Sequence, residues 1–130
     1  MLNTAVRMFE QTAQNFSDKT AVVDANGSVT FAQLAQQAKA IGSALLAARG
    51  AAMGLTPLIV YLPKSIAAVS CYLGAQYSGN PYVPVADDIP MVRLESIAAS
   101  LGEGFLITSR DMVSRLENVN LSTVKVLLLE

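Results

Sequence analysis

Four short apolar runs constrain the fold of this chain more than any other feature of its sequence. They lie at residues 57–62, 82–85, 105–107 and 124–129. The first run is continuously apolar, which is typical of a strand that is covered on both faces of a parallel sheet. Segments with helical spacing of apolar residues separate the runs. This alternation of strand and helix predicts an α/β fold with a mostly parallel, doubly wound sheet.

Two smaller elements precede the sheet. Residues 3–15 carry apolar side chains at helical spacing and predict an amphipathic N-terminal helix. Two short runs, 21–23 and 29–31, flank Asn26-Gly27, a dipeptide that tolerates a positive φ at both turn positions, and they predict a small β-hairpin. Thr30 and Gln33 have the spacing of a capping box, so we expect a helix to begin there and to end at Gly50.

The segments between the apolar runs predict the helices that connect the strands. Residues 65–77 form one long apolar segment of helical length. Pro90 is suited to the start of the next helix, which carries Leu94, Ile97 and Leu101 on one side. A short helix is expected over residues 109–116.

Composition excludes several classes of protein. A chain of 130 residues that is 52% apolar can form a single core, and we expect one domain over residues 1–130. The net charge of −1 argues against a nucleic-acid or anionic-membrane partner. The sequence has no His and a single Cys, Cys71, which excludes a zinc cluster, a Cys/His dyad and an internal disulfide.

Neither a membrane span nor a secretory signal is expected. The uncharged stretch at residues 65–86 is interrupted by polar residues, Gly and Pro before it reaches the roughly 20 residues that a bilayer-spanning helix needs. The N-terminus lacks the basic stretch and long apolar run of a secretory signal. A cytoplasmic location is therefore the expectation.

Ligand-binding residues are expected in the turns after residues 62, 85 and 107, because open parallel sheets bind ligands at the carboxyl ends of their strands. Lys64 and Ser65 could meet a phosphate at a helix start, but they lack a Gly-rich phosphate loop, and a solvated lysine is the favoured interpretation. Asp87 and Asp88 could form a metal or acid/base pair. Capping of the helix that begins near Pro90 is favoured instead.

Other candidates are also interpreted as structural. Cys71 lies in the middle of a helix with no His to act as a base, which favours core packing. Gly102-Glu103-Gly104 resembles part of a dinucleotide fingerprint but precedes a strand, so we reject it. We expect the four tyrosines to cluster in the apolar centre as partly buried phenols rather than to form a ligand cage: Tyr61, Tyr72, Tyr77 and Tyr82. No catalytic, cofactor-binding or metal-binding residue is assigned.

Three segments carry a resemblance to a known family. They are FSDKTAVV at residues 16–23, VTFAQL at 29–34 and GNPYVPV at 79–85, followed by Pro90 and Arg93-Leu94. In this order they resemble the start of adenylate-forming ligases, which include non-ribosomal peptide synthetase adenylation domains and acyl-CoA synthetases. The second and third segments are similar to the first two core motifs of the family. Three residues depart from the usual pattern: Ser78, Pro81 and Ala86.

The resemblance implies an activity for a longer protein. Enzymes of this family use ATP and Mg to activate a carboxylate as an acyl-adenylate, and they pass the acyl group to CoA, a carrier protein or another acceptor. None of the family's catalytic residues maps onto this chain, which also ends on an apolar strand without a polar tail. We therefore expect an N-terminal fragment of the ligase's large domain that is inactive and prone to self-association. The alternative is a complete small α/β binding or protein-interaction module.

Overall fold

The structure is a computed structural model that describes residues 4–49 and 56–129. It confirms the α/β class, with an N-terminal helix, a hairpin and a parallel sheet. The elements in chain order are α1 (Ala5–Asn15), β1 (Thr20–Asp24), β2 (Gly27–Thr30), α2 (Phe31–Arg49), β3 (Leu58–Tyr61), α3 (Ile66–Tyr77), β4 (Tyr82–Val85), α4 (Met91–Leu101), β5 (Gly104–Ser109), α5 (Arg110–Val113), a 3₁₀ turn (Ser114–Leu116) and β6 (Val124–Leu129).

The chain divides into two compact units. The first, which we call the helical unit, contains the described residues 4–49 and 64–79, with α1, the hairpin, α2 and α3. The second, the sheet unit, contains residues 56–63 and 80–129, with all four strands of the larger sheet. None of the described helices is both long enough and apolar enough to span a bilayer.

The sheet unit is built on four parallel strands in the order β4-β3-β5-β6. All four residues of β3 are buried, which confirms the expectation that both faces of this strand are covered. The edge strands β4 and β6 are partly exposed. Because β4 and β5 lie on opposite sides of β3, the direction in which successive strands are added reverses between β3 and β5.

The core of the sheet unit joins α4 to the strands. Leu94 and Ala98 of α4 are buried, and Ile97 and Leu101 pack at the margin, which confirms the predicted apolar side of this helix. The buried cluster comprises Ile59, Tyr61, Val85, Leu94, Ala98, Leu106, Met112 and Leu116. Burial of each large aliphatic side chain stabilises this unit by about 1.5–3 kcal/mol relative to exposure.

The N-terminal helix and the second helix begin at side-chain caps. Thr4 Oγ1 accepts the Arg7 amide at 3.2 Å, so α1 starts at Ala5; the predicted start at Asn3 lies outside the described residues. Gln33 N–H donates to Thr30 Oγ1 at 3.1 Å, and Thr30 N–H donates to Gln33 Oε1 at 2.9 Å. These two bonds confirm the capping box. The predicted helix end at Gly50 also falls outside the described residues.

The hairpin is present, but its turn differs from the prediction. Asp24 pairs with Gly27, so Ala25 and Asn26 are the central turn residues rather than Asn26 and Gly27. Among the described residues only glycines have a positive φ, and Gly27 has φ +153°. The expected positive φ at Asn26 is therefore wrong. The physical reason is local, because the Asp24 carboxylate accepts the Asn26 amide at 2.8 Å and closes an Asx turn.

Helices α2 and α3 approach closely through two glycines. A Cβ at Gly74 would lie 2.6 Å from Ile41 Cγ2 and 3.0 Å from the Ala38 carbonyl oxygen. A Cβ at Gly42 would lie 3.1 Å from the Gly74 carbonyl oxygen. Glycine at these two positions allows the backbones of α2 and α3 to approach as closely as they do.

Candidate functional site

The carboxyl edge of the parallel sheet is the candidate functional site, and its centre lies between β3 and β5, where the strand order reverses. Thr108 is fully buried there, and its Oγ1 donates to the Tyr61 carbonyl at 2.7 Å. This bond extends the β3–β5 ladder beyond the pairing of Val60 with Ile107. The polar groups at the two strand ends thus satisfy each other, as buried polar groups must.

The loop after β4 is bound to its neighbours through one backbone carbonyl. The Asp87 carbonyl oxygen accepts Arg115 Nη1 at 2.9 Å and Tyr61 Oη at 3.4 Å. The side chains of Asp87 and Asp88 are exposed. Among the described residues, no group of three or more His, Cys, Asp or Glu side chains is placed to hold a metal ion.

The expectation that Asp87 and Asp88 cap α4 is wrong. Pro90 is the N-cap residue, and no side chain makes a cap bond there. The Pro90 carbonyl accepts the amides of Arg93 and Leu94 at 3.0 and 3.1 Å. The helix therefore begins too far along the chain from the two aspartates for either side chain to act as its N-cap.

The start of α3 is occupied by the protein's own oxygen atoms. Ser65 Oγ accepts the Ala68 amide at 3.1 Å, and Asp24 Oδ2 accepts the Ile66 amide at 3.0 Å. The Ile66 amide, followed by the Asn26 amide, holds the pKa of Asp24 below its usual value. A carboxylate at this helix end repels a phosphate and removes one of the amides that would bind it. The structure thus favours the solvated interpretation of the exposed Lys64.

Cys71 is a core residue. Its side chain is fully buried, and burial raises the pKa of the thiol to about 12. The thiol is therefore protonated at neutral pH and is a poor nucleophile. This confirms the packing interpretation.

The four tyrosines are divided equally between the two units. Tyr61 and Tyr82 belong to the sheet unit, and Tyr72 and Tyr77 belong to the helical unit. Tyr61 is fully buried, whereas Tyr82, on an edge strand, is 36% exposed. The expectation of a partly buried phenol is therefore wrong for Tyr61.

Gly102-Glu103-Gly104 joins a helix to a strand. Gly102 follows α4 with φ +71°, and Gly104 begins β5. A dinucleotide fingerprint follows a strand and opens a helix, which is the opposite order. The position of the segment agrees with its rejection as a cofactor loop.

A polar cluster in the helical unit was not predicted from the sequence. The Glu10 carboxylate accepts Lys39 Nζ and Tyr77 Oη, each at 3.1 Å. The bond from Lys39 and then that from Tyr77 lower the pKa of Glu10, while burial and Glu10 raise the pKa of Tyr77. The three residues come from three helices, so no spacing in the sequence indicates the cluster.

The motif residues behind the family resemblance have structural roles in the structure. Thr30 caps α2, and Leu34 is 3% exposed in its buried face. The Phe31 ring lies 6.3 Å from that of Phe9. Gly79 adopts φ +76° after α3, a conformation that disfavours any residue with a Cβ.

Comparison with known proteins identifies the family. The sequence profile of the family described as AMP-binding enzyme matches residues 9–129. Pyochelin synthetase PchF of Pseudomonas aeruginosa is 39% identical over 92 residues, which are 71% of this chain and 5% of that protein. Nonribosomal peptide synthetase kk1B of Curvularia clavata is 29% identical over 128 residues, which are 95% of this chain and 1% of that protein.

The fold is similar to that of a solved ligase. A benzoate CoA ligase from Burkholderia xenovorans LB400 superposes with a TM-score of 0.84 over 99% of this chain and 26% of the ligase, at 19% identity. The chain thus spans a small share of the length of the proteins that it matches. Because the family match covers nearly all of its residues, the resemblance to adenylate-forming ligases is confirmed and the chain belongs to the AMP-binding enzyme family.

Proposed function

We propose that this chain is the N-terminal part of the large domain of a ligase that activates a carboxylate with ATP. The carboxylate oxygen attacks the α-phosphorus, the bond from that phosphorus to the bridging oxygen breaks, and pyrophosphate leaves. The acyl-adenylate then transfers its acyl group to an acceptor and releases AMP. The observation that carries the proposal is the family match over residues 9–129.

Within that ligase, we propose that this chain acts as a scaffold rather than as a source of catalytic groups. The polar groups at the centre of its sheet edge bond to each other, through Thr108 and the Tyr61 carbonyl. The N-terminus of α3 is occupied by Ser65 and Asp24. ATP, magnesium and the carboxylate are therefore assigned to groups elsewhere in the longer protein.

A carrier-protein thiol is the acceptor that we propose, with CoA as the alternative. The support is the identity to pyochelin synthetase PchF and to a nonribosomal peptide synthetase. The CoA ligase is similar at a level that supports the fold alone. We propose a cytoplasmic location for the protein, in line with its single unpaired cysteine, Cys71.

Carboxylate-dependent exchange between ATP and pyrophosphate tests the proposal. We expect the 130-residue chain to give no exchange above a vector control, and the longer protein that we propose to give exchange with an amino or aryl acid. Exchange by the short chain would contradict the scaffold role. Absence of exchange by the longer protein across a panel of acids would contradict the ligase function.

We also propose that the isolated chain self-associates through β6. Within the described residues β6 pairs on one side only, with β5, and Val126 and Leu128 are 38% and 46% exposed. The opposite edge strand, β4, contains Pro84, which lacks an amide donor, whereas β6 contains no proline. Unprotected edge strands with apolar side chains tend to pair with a second chain.

Light scattering over a concentration series, with a hydrophobic dye, tests self-association. We expect oligomers and dye binding, and we expect Val126→Lys to reduce both because a charge on an edge strand opposes pairing. Val92→Lys is the matched control, since Val92 is 77% exposed on a helix and lies outside the strand edge. A monomer without dye binding would favour the alternative of a complete binding module.

A further inference from the structure

Helix α1 contacts the rest of the helical unit through few apolar side chains. Among its described residues only Ala13 is buried, while Met8 is 56% exposed. Its one aromatic contact places the Phe9 and Phe31 rings 6.3 Å apart. Helix α3, in contrast, buries five residues: Ala68, Ser70, Cys71, Gly74 and Ala75. Segments with few buried contacts are the first to open in native proteins.

A polar cluster adds bonds between α1 and the two other helices. Lys39 Nζ of α2 and Tyr77 Oη of α3 both lie 3.1 Å from the same atom, Oε1 of Glu10. Lys39 Nζ also lies 5.7 Å from the centroid of the Tyr77 ring. Arg7 of α1 is the remaining charged group that acts on Glu10. One carboxylate oxygen of α1 therefore joins this helix to two others.

The chain beyond α1 is attached independently of Glu10. The Ala32 amide donates to the Ser17 carbonyl at 3.1 Å, and the Phe31 amide donates to the Lys19 carbonyl at 2.9 Å. These bonds hold the segment after α1 against the start of α2. Neither these bonds nor the α2–α3 contact at Gly42 and Gly74 involves Glu10.

We propose that the Glu10 carboxylate holds α1 on α2 and α3. Neutralisation of Glu10 then releases α1, while α2 and α3 stay packed against each other. The charged and titratable groups that face this carboxylate are Lys39, Tyr77 and Arg7. The proposal is independent of the catalytic function and concerns the order in which the fold opens.

Residue-resolved hydrogen exchange tests this role of Glu10. In Glu10→Gln we expect the α1 amides to lose protection by about tenfold, because a bond to a charged carboxylate is replaced by weaker ones at a partly exposed site. Protection of the α2 and α3 amides should stay unchanged. Glu95→Gln is the matched control, since Glu95 of the sheet unit also accepts a bond, from the Asn120 amide at 2.7 Å, and should leave α1 unaffected.

The wild-type chain provides a second test in acid. The lowered pKa of Glu10 means that its contribution to docking is complete above the unfolded pKa of Glu, about 4.3, and is lost as pH falls through the lower folded pKa. Below that range, α1 should lose protection before α2 and α3 do, and this early loss should be absent in Glu10→Gln. Equal α1 protection in the two proteins at neutral pH, or simultaneous loss in all three helices, would overturn the proposal.

Discussion

The sheet unit and the helical unit are stabilised by different kinds of contact. In the sheet unit, α4 covers a continuous apolar cluster in which Leu94 and Leu106 are fully buried. In the helical unit, α2 and α3 meet at Gly42 and Gly74 beside the buried Leu34, and side-chain caps and the Glu10 cluster add polar bonds. Both units thus bury apolar side chains, and the helical unit adds a close backbone approach and polar bonds between its helices.

Removal of a buried leucine should have the largest effect, as at Leu94 of the sheet unit. We expect Leu94→Ala to lower the free energy of unfolding by about 2–5 kcal/mol, because it removes a fully buried side chain and leaves a cavity. Leu46→Ala is the control, because Leu46 is 44% exposed on α2. Denaturant midpoints measure both. Equal losses would contradict the assignment of the core to α4 and the strands.

Addition of one methyl group at Gly74, in the helical unit, should have the next largest effect. We expect Gly74→Ala to destabilise the chain by about 1–3 kcal/mol, because overpacking forces α2 and α3 apart. Its Cβ would lie 2.6 Å from Ile41 Cγ2, whereas the nearest atoms to a Cβ at Gly42 are at 3.1 Å. Gly42→Ala should therefore cost less. Thermal midpoints of the two variants compare them, and a neutral or stabilising Gly74→Ala would show that the helices can separate freely.

The smallest effect is expected at the cap of α2. We expect Thr30→Ala to cost about 1 kcal/mol, because it leaves the Gln33 amide without its partner. Leu34→Ala, a few residues later in the same helix, should cost about 2–5 kcal/mol because Leu34 is buried. If Leu34→Ala unfolds at no lower denaturant concentration than Thr30→Ala, the buried face of α2 is assigned wrongly.

The sequence predicted local features better than it predicted contacts between residues that are distant in the chain. The capping box of Thr30 and Gln33 involves neighbours in the chain, and it forms as predicted. The four strands of the parallel sheet were predicted from the apolar runs in the sequence. The conformation of the turn depended on one hydrogen bond, from the Asn26 amide to the Asp24 side chain. Residue spacing alone did not indicate this bond.

The candidate site was predicted less well. The structural roles of Cys71 and Gly102 followed from their places in the helix and strand pattern. The contact between Asp24 and the Ile66 amide, and the bonds to the Asp87 carbonyl, join segments that are far apart in the sequence. Such pairs depend on how the elements pack, and a single sequence carries no signal for them.

We propose that this member of the AMP-binding enzyme family supplies scaffold rather than the nucleotide site. Titration of the 130-residue chain with ATP and magnesium, followed by calorimetry and by amide chemical shifts, tests it most directly. We predict no saturable binding and no localised shifts, either at Thr108 of the sheet unit or, separately, at Lys64 of the helical unit. Saturable binding of ATP with shifts at these residues would contradict the claim.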